Sequence, residues 1–218
     1  MKKLVLAAIL GLGVFGVASL NAAENLSAEQ LNQLFNDCLG NENTSSCQRL
    51  IDNGLASVEQ CDKKSCGVVG VIHKAAENYQ QAIKYYEKAC RLNDKLGCLG
   101  LAETYGNGQG VEQNYNTAFK FYKKACDLNL AEACYNVGIS YQEGQGVKQD
   151  FANARKYYEK ACNSDDAQAC NNLGYLYGKG QGVRQNKSTA KKYYGKACDL
   201  GHQMGCDNYK ILNEQGIQ

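Results

Sequence analysis

Cysteine is the residue type in this 218-residue chain with the widest choice of chemistry, and it recurs with a fixed spacing. Twelve cysteines are present. Eight fall into one pattern, with seven residues between the members of each pair: Cys90 and Cys98, Cys126 and Cys134, Cys162 and Cys170, Cys198 and Cys206. Three chemistries use paired cysteines. A structural zinc site wants Cys-x2-4-Cys sets or cysteines combined with histidines. Here the pairs enclose seven, eight or four residues, and the only histidines are His73 and His202. A thiol redox catalyst usually shows Cys-x-x-Cys in a βαβ context, and the chain has neither. A disulfide framework wants an even cysteine count in an exported chain. That reading fits, and it calls for no metal and no cofactor.

Hydrolytic chemistry has one partial match. Ser188-Thr189-Ala190-Lys191 reads as Ser-x-x-Lys, the nucleophile motif of serine β-lactamases, which also need Ser-Asp-Asn and Lys-Thr-Gly. The other two motifs are absent. The equivalent positions one, two and three periods upstream are Ala152, Asn116 and Gln80. Catalytic residues therefore stay unassigned. Binding chemistry is better represented. Asn136, Asn172 and Asn208 stand one period apart, with Gly100 at the preceding position. An asparagine amide both donates and accepts, so a ladder of them suits an extended peptide backbone or a glycan. Alternatively, these side chains hydrogen-bond neighbouring helix ends. Tyr135 and Tyr175 either add aromatic contact to the same surface or pack inside. Two further tyrosine columns, Tyr86, Tyr122, Tyr158, Tyr194 and Tyr105, Tyr141, Tyr177, recur too regularly for a site and read as packing.

The elements that must position these residues follow from the period. The first cysteines of the four pairs lie 36 residues apart, the mark of a helical array. The units run 79–114, 115–150 and 151–186, with a truncated fourth at 187–218. Each opens with a helix: Phe151, Ala154, Tyr158 and Ala161 form one apolar stripe, with Arg155, Lys156, Glu159 and Lys160 on the opposite, solvated face. Cap-forming residues precede these helices, namely Asn78, Asn114, Asp150 and Asn186. A second helix follows each cysteine pair, as at Ala131 to Glu143. Gly138 and Gly174 inside it cost helix propensity, which close helix approach would explain. Gly-Gln-Gly-Val then recurs at 108–111, 144–147 and 180–183. Its first glycine is read as a left-handed helix stop and its valine as a plug into the core. Residues 24–78 read as atypical capping repeats. Within them Cys66 to Asn78 is a shortened second helix with Gly67, Val68, Val71 and Ala75 as its apolar content. The fold class is all-α, built of helix pairs. Seven residues between two helix ends suit a turn that brings two Cα atoms within disulfide reach. The natural connectivity is therefore between neighbours: Cys38–Cys47, Cys61–Cys66, Cys90–Cys98, Cys126–Cys134, Cys162–Cys170 and Cys198–Cys206.

Residues 1–23 read as a signal peptide: Lys2 and Lys3, an apolar run from Leu4 to Leu20, then small residues, with cleavage after Ala22 or Ala23. No stable membrane anchor remains after cleavage, and the chain is expected in the periplasm or the medium. The leader carries two of the 24 basic residues and none of the 22 acidic ones, so 22 of each remain. A neutral chain argues against nucleic acid as a partner.

The repeating Ala-x-Lys-x-Tyr-x-Lys-Ala-Cys, quoted most clearly by Ala118 to Cys126, with Gly144-Gln145-Gly146-Val147 resembles Sel1-like repeats, relatives of the tetratricopeptide repeat. With the cysteine pairs and a leader, the chain is similar to the Helicobacter cysteine-rich protein family. That resemblance covers 79–216 strongly and 27–78 loosely. It implies a right-handed α/α superhelix stapled by disulfides. The implied function is an exported scaffold with a concave groove for a peptide, a protein or a peptidoglycan-like cell-wall fragment. The alternative it implies is a weak penicillin-binding β-lactamase. No catalytic residues travel with that label.

Overall fold

The computed structural model describes residues 28–41, 43–52, 61–63 and 65–218; the leader and its cleavage site lie outside them. Every regular element among the described residues is an α-helix. The chain divides into two compact units, one ending at Gln113 and the other running Asn114–Gln218. In the first are α1 (Ala28–Leu39), α2 (Thr44–Asp52), α3 (Ser65–Ala75), α4 (Tyr79–Arg91) and α5 (Lys95–Asn107). In the second are α6 (Tyr115–Asp127), α7 (Ala131–Glu143), α8 (Phe151–Asn163), α9 (Ala167–Lys179), α10 (Lys187–Asp199) and α11 (Gln203–Glu214).

The helices start and stop for local reasons. The Asp150 carboxylate accepts from the backbone N–H groups of Ala152 and Asn153, and Asn114 and Asn186 accept from Thr117 and Thr189. Each satisfies donors that the first helical turn leaves open. Asn78 departs from this expectation. Its side chain makes no cap bond and instead donates to Gln48 Oε1 at 3.3 Å, on α2. Between the two helices of a pair the chain turns through one left-handed residue, Asn93, Asn129, Asp165 or Gly201. Apart from glycine, asparagine and aspartate tolerate that conformation best. The second helices α5, α7 and α9 stop at a left-handed glycine, Gly108, Gly144 and Gly180, whereas α11 stops at Gln215.

Packing follows the stripe. In α8, Ala154, Tyr158, Ala161 and Cys162 are buried. The reason for a glycine inside each second helix is specific. A Cβ at Gly138 would lie 2.5 Å from the Tyr158 ring, and one at Gly174 would lie 2.8 Å from the Tyr194 ring. The tyrosine of one pair thus lies flat against the backbone of the pair before it. In the first unit Tyr86 meets both Gly70 and Gly100 in the same way. The α3 core is Val68, Val69 and Ile72, whereas Val71 and Ala75 are half-buried, a one-residue shift from the expected apolar set.

The loop after each second helix closes differently from the expected valine plug. Val111, Val147 and Val183 are only half-buried. What presses inward is the second glycine. Gly146 and Gly182 are left-handed and lie so close to the backbone of Tyr115 and Phe151 that a side chain has no room. A conserved geometry of glutamine closes the loop: Gln113, Gln149 and Gln185 each donate through Nε2 to a carbonyl in the last turns of the preceding helix (Gly106, Gln142, Gly178) at 2.7–2.8 Å.

All twelve cysteines are paired, as Cys38–Cys47, Cys61–Cys66, Cys90–Cys98, Cys126–Cys134, Cys162–Cys170 and Cys198–Cys206. The Cα–Cα distances are 4.5–5.1 Å. Five of the six tie consecutive helices, and Cys61–Cys66 pins the approach to α3. Disulfides at this density require an oxidising compartment. No helix among the described residues is long and apolar enough to cross a membrane.

Candidate binding face on the second helices

In the second unit the second helices of successive pairs, α7, α9 and α11, are neighbours. Their period carries Asn136, Asn172 and Asn208 to equivalent places, all half-buried. The three amides differ in what they bond. Asn136 has no side-chain partner among the described residues; its carbonyl accepts from Ser140 Oγ at 2.9 Å. The Asn172 amide lies beside the Tyr135 and Tyr158 hydroxyls. Burial pushes both phenols above their ordinary value, and the Asn172 amide acts in the opposite direction. Both tyrosines are therefore neutral hydroxyls. Asn208 Nδ2 donates to Asn171 Oδ1 at 3.1 Å, and Asn171 Nδ2 reaches Asn172 Oδ1 at 3.4 Å. Of the three, Asn208 bonds to a side chain on the neighbouring second helix.

Asn171 is the residue that sequence reasoning missed. It is buried at 6% exposure and links α9 to α11. The same position one period away is Tyr135 or Asp207, so no periodicity marks it. Tyr135 packs against Tyr158 with ring centroids 5.8 Å apart. Tyr175 is 42% exposed and, with Asn208, lines a groove open to solvent.

That groove has a volume of about 390 Å³. Its apolar wall is Ile211 and Leu212 of α11 with Tyr175 and Tyr194; its basic wall is Lys179 at the end of α9 and Lys187 at the start of α10. Asn208, Gln185 and Gln215 supply amides, and no carboxylate lines it. Asn208 keeps its Oδ1 as a free acceptor, since its recorded bond uses Nδ2. The groove lies within the range typical of sites for small ligands and side chains, apolar with a few convergent polar groups.

The remaining candidates lie elsewhere. Ser188 is exposed in the first turn of α10. Lys191 donates to the Ile217 carbonyl at 2.5 Å and lies 5.4 Å over the Tyr209 ring. His202 caps α11, its Nδ1 accepting from Gly205 N at 3.1 Å. His73 is buried on α3 and stacks on Tyr85 at 5.0 Å. No group of three or more His, Cys, Asp or Glu among the described residues is arranged to hold a metal.

Comparison with known proteins agrees with this architecture. The Sel1 repeat profile matches residues 96–130, 131–166 and 167–202, and a tetratricopeptide repeat profile matches 64–96. Helicobacter pylori HcpC, named as a candidate β-lactamase, is 43% identical over 60 residues, 28% of this chain and 20% of HcpC. Helicobacter pylori cysteine-rich protein B is 40% identical over 59% of this chain and 92% of its own, with a TM-score of 0.48; the likeness there is one of sequence. The crystal structure of a Sel1 repeat protein from Oxalobacter formigenes matches with a TM-score of 0.66 at 28% identity, over 69% of this chain and 62% of that one. The chain thus spans a fifth of HcpC and less than two thirds of the Oxalobacter protein.

Proposed function

This chain belongs to the Sel1 repeat family, and from that premise we propose that it is an exported, disulfide-stapled scaffold that binds an extended peptide segment of a partner protein along α7, α9 and α11. One observation carries the reading: a row of half-buried side-chain amides at one-repeat spacing leads to an open groove that contains Asn208 and Tyr175. An extended peptide repeats its backbone donors and acceptors at regular intervals, and asparagine side chains meet both kinds. Asn172 lies beside the neutral Tyr135 and Tyr158 hydroxyls and accepts from Asn171, whereas the Asn136 amide and the Asn208 Oδ1 are open to a ligand. Export to the periplasm or medium supplies the oxidising setting of the disulfides.

The test is capture of synthetic peptides by the oxidised chain. Asn136→Ala and Tyr175→Ala are the informative variants, because neither side chain holds the fold together. Loss of one hydrogen bond is worth about 1 kcal/mol, roughly fivefold in affinity. We expect that loss with an unchanged thermal midpoint. Binding of soluble peptidoglycan fragments in place of peptides would redirect the reading to the cell wall; unaltered capture by both variants would remove it.

The name of HcpC raises β-lactam hydrolysis as a second reading. The Lys191 ammonium is engaged by the Ile217 carbonyl and the Tyr209 ring rather than hydrogen-bonded to Ser188. Any turnover of a chromogenic cephalosporin is therefore expected to be the same in Ser188→Ala as in the parent chain.

A further inference from the structure

We infer that the groove between α9, α10 and α11 selects a peptide carrying an apolar residue next to an acidic one. The inference rests on the peptide-binding reading above and supplies the chemistry of the occupant. Three observations carry it. First, three helices give the groove a lining of two characters: Ile211 and Leu212 of α11 with Tyr175 and Tyr194 are apolar, and Lys179 of α9 and Lys187 of α10 are cationic. Second, the ammonium groups of Lys179 and Lys187 make no ion pair or hydrogen bond among the described residues, and no carboxylate lines the groove. Other cations of this unit's first helices have local partners: Lys123 with Asp127, Arg155 with Glu159, Lys160 and Lys196 with carbonyls, Lys191 with Ile217. Third, Ile211 is 50% exposed and Tyr175 42% exposed, an apolar surface that a bound side chain would cover.

An extended segment sends successive side chains to opposite sides. With its backbone amides on Asn208, one side chain falls on the Ile211 and Leu212 wall and the next falls towards Lys179 and Lys187. The matching pair is an aliphatic or aromatic residue followed or preceded by Asp or Glu. The negative charge comes from this internal side chain and not from a terminal carboxylate.

The experiment is fluorescence anisotropy with the oxidised full chain and four labelled, C-terminally amidated octapeptides. They share one sequence and differ at its centre: Leu-Glu, Leu-Gln, Leu-Lys and Ser-Glu. A fifth is the Leu-Gln peptide with a free C-terminus. We expect Leu-Glu to bind roughly fivefold more tightly than Leu-Gln, as for a solvent-exposed charge pair. The difference should shrink as ionic strength rises and vanish in a Lys179→Glu, Lys187→Glu double variant. Ile211→Ser should weaken Leu-Glu more than Ser-Glu. Equal affinity for Leu-Glu, Leu-Gln and Leu-Lys overturns the selectivity and leaves the peptide scaffold standing. Preference for the free-acid Leu-Gln over amidated Leu-Glu overturns the internal-acid assignment in favour of a terminus. Failure of every peptide to bind overturns both readings, and unaltered thermal midpoints in the variants show that the fold is not the cause.

Discussion

At the scale of single residues, the positions that matter are those where one atom more or less has nowhere to go. Gly138→Ala puts a methyl 2.5 Å from the Tyr158 ring, and overpacking of this kind costs about 1–3 kcal/mol. The ring is fully buried and its hydroxyl donates to Gln142 Oε1 at 3.0 Å, so it has no free path aside. Calorimetry should show a lowered midpoint for Gly138→Ala and a partial return in Gly138→Ala with Tyr158→Leu. His73 behaves oppositely. Its Nδ1 is buried without a partner and burial lowers its pKa below the usual 6.5. The folded chain therefore holds it neutral, and the unfolded chain protonates it at about pH 6.5. Its contribution is present above that pH and is lost as pH falls from there towards the lower folded value. The midpoint difference between pH 7.5 and pH 5.5 should thus be smaller in His73→Phe than in the parent; an equal difference would show that His73 does not titrate on unfolding. The contrast with legibility is instructive. Gly138 stood out in the sequence because a glycine inside a helix recurs at one period. His73 and Asn171 did not, since neither repeats and their importance comes from neighbours brought together by the fold.

At the scale of helices, each element depends on the ends of the one before it. Lys160 reaches from α8 to the Cys126 carbonyl in the last turn of α6 at 2.8 Å, and Lys196 does the same from α10 to Cys162 at 2.7 Å. The end of a helix carries open carbonyls and partial negative charge. One ammonium answers both, so the disulfide-bearing turn is held by a covalent clip and a cation together. Periodicity placed Lys160 on the solvated face of α8, because helical spacing reports direction from the axis and not how far a long side chain reaches. Lys160→Met keeps the aliphatic stem and removes the charge. It should cost about 1 kcal/mol, seen as a lower urea midpoint with unchanged slope, whereas Lys156→Met should change little. The helices themselves, their left-handed glycine stops and the cap residues Asn114, Asp150 and Asn186 were legible, since each is a property of a few consecutive residues. Which residue of the Gly-Gln-Gly-Val loop turns inward was not. That depends on how closely the loop folds back on the start of its own pair's first helix, which makes the second glycine, and not the valine, the tight contact.

At the scale of the whole molecule, all six covalent links are local, spanning five to nine residues. Each eight-residue closure is worth about 2.5 kcal/mol on the loop-entropy account, and in an array whose units contact their neighbours each acts on its own turn. Opening one clip should therefore loosen one helix pair without unfolding the chain. The six are not equally reachable. Ten cysteines are at most 3% exposed, whereas Cys198 and Cys206 are half-buried. Thiol–disulfide exchange needs a thiolate to approach a sulfur, so a small dithiol should reduce Cys198–Cys206 first, becoming a cyclic disulfide itself as the two cysteine thiols form. Brief treatment under native conditions, alkylation and peptide mass spectrometry should label Cys198 and Cys206 while the other ten stay protected until denaturant is added. Simultaneous labelling of all twelve would mean that reduction waits on global opening. The selective outcome also bears on binding. Cys206 lies on α11 with Asn208, Ile211 and Leu212, so freeing it releases the apolar wall of the groove from α10. Peptide affinity should then fall in the singly opened chain while Asn136, two helices away on α7, keeps its place and far-ultraviolet circular dichroism stays constant.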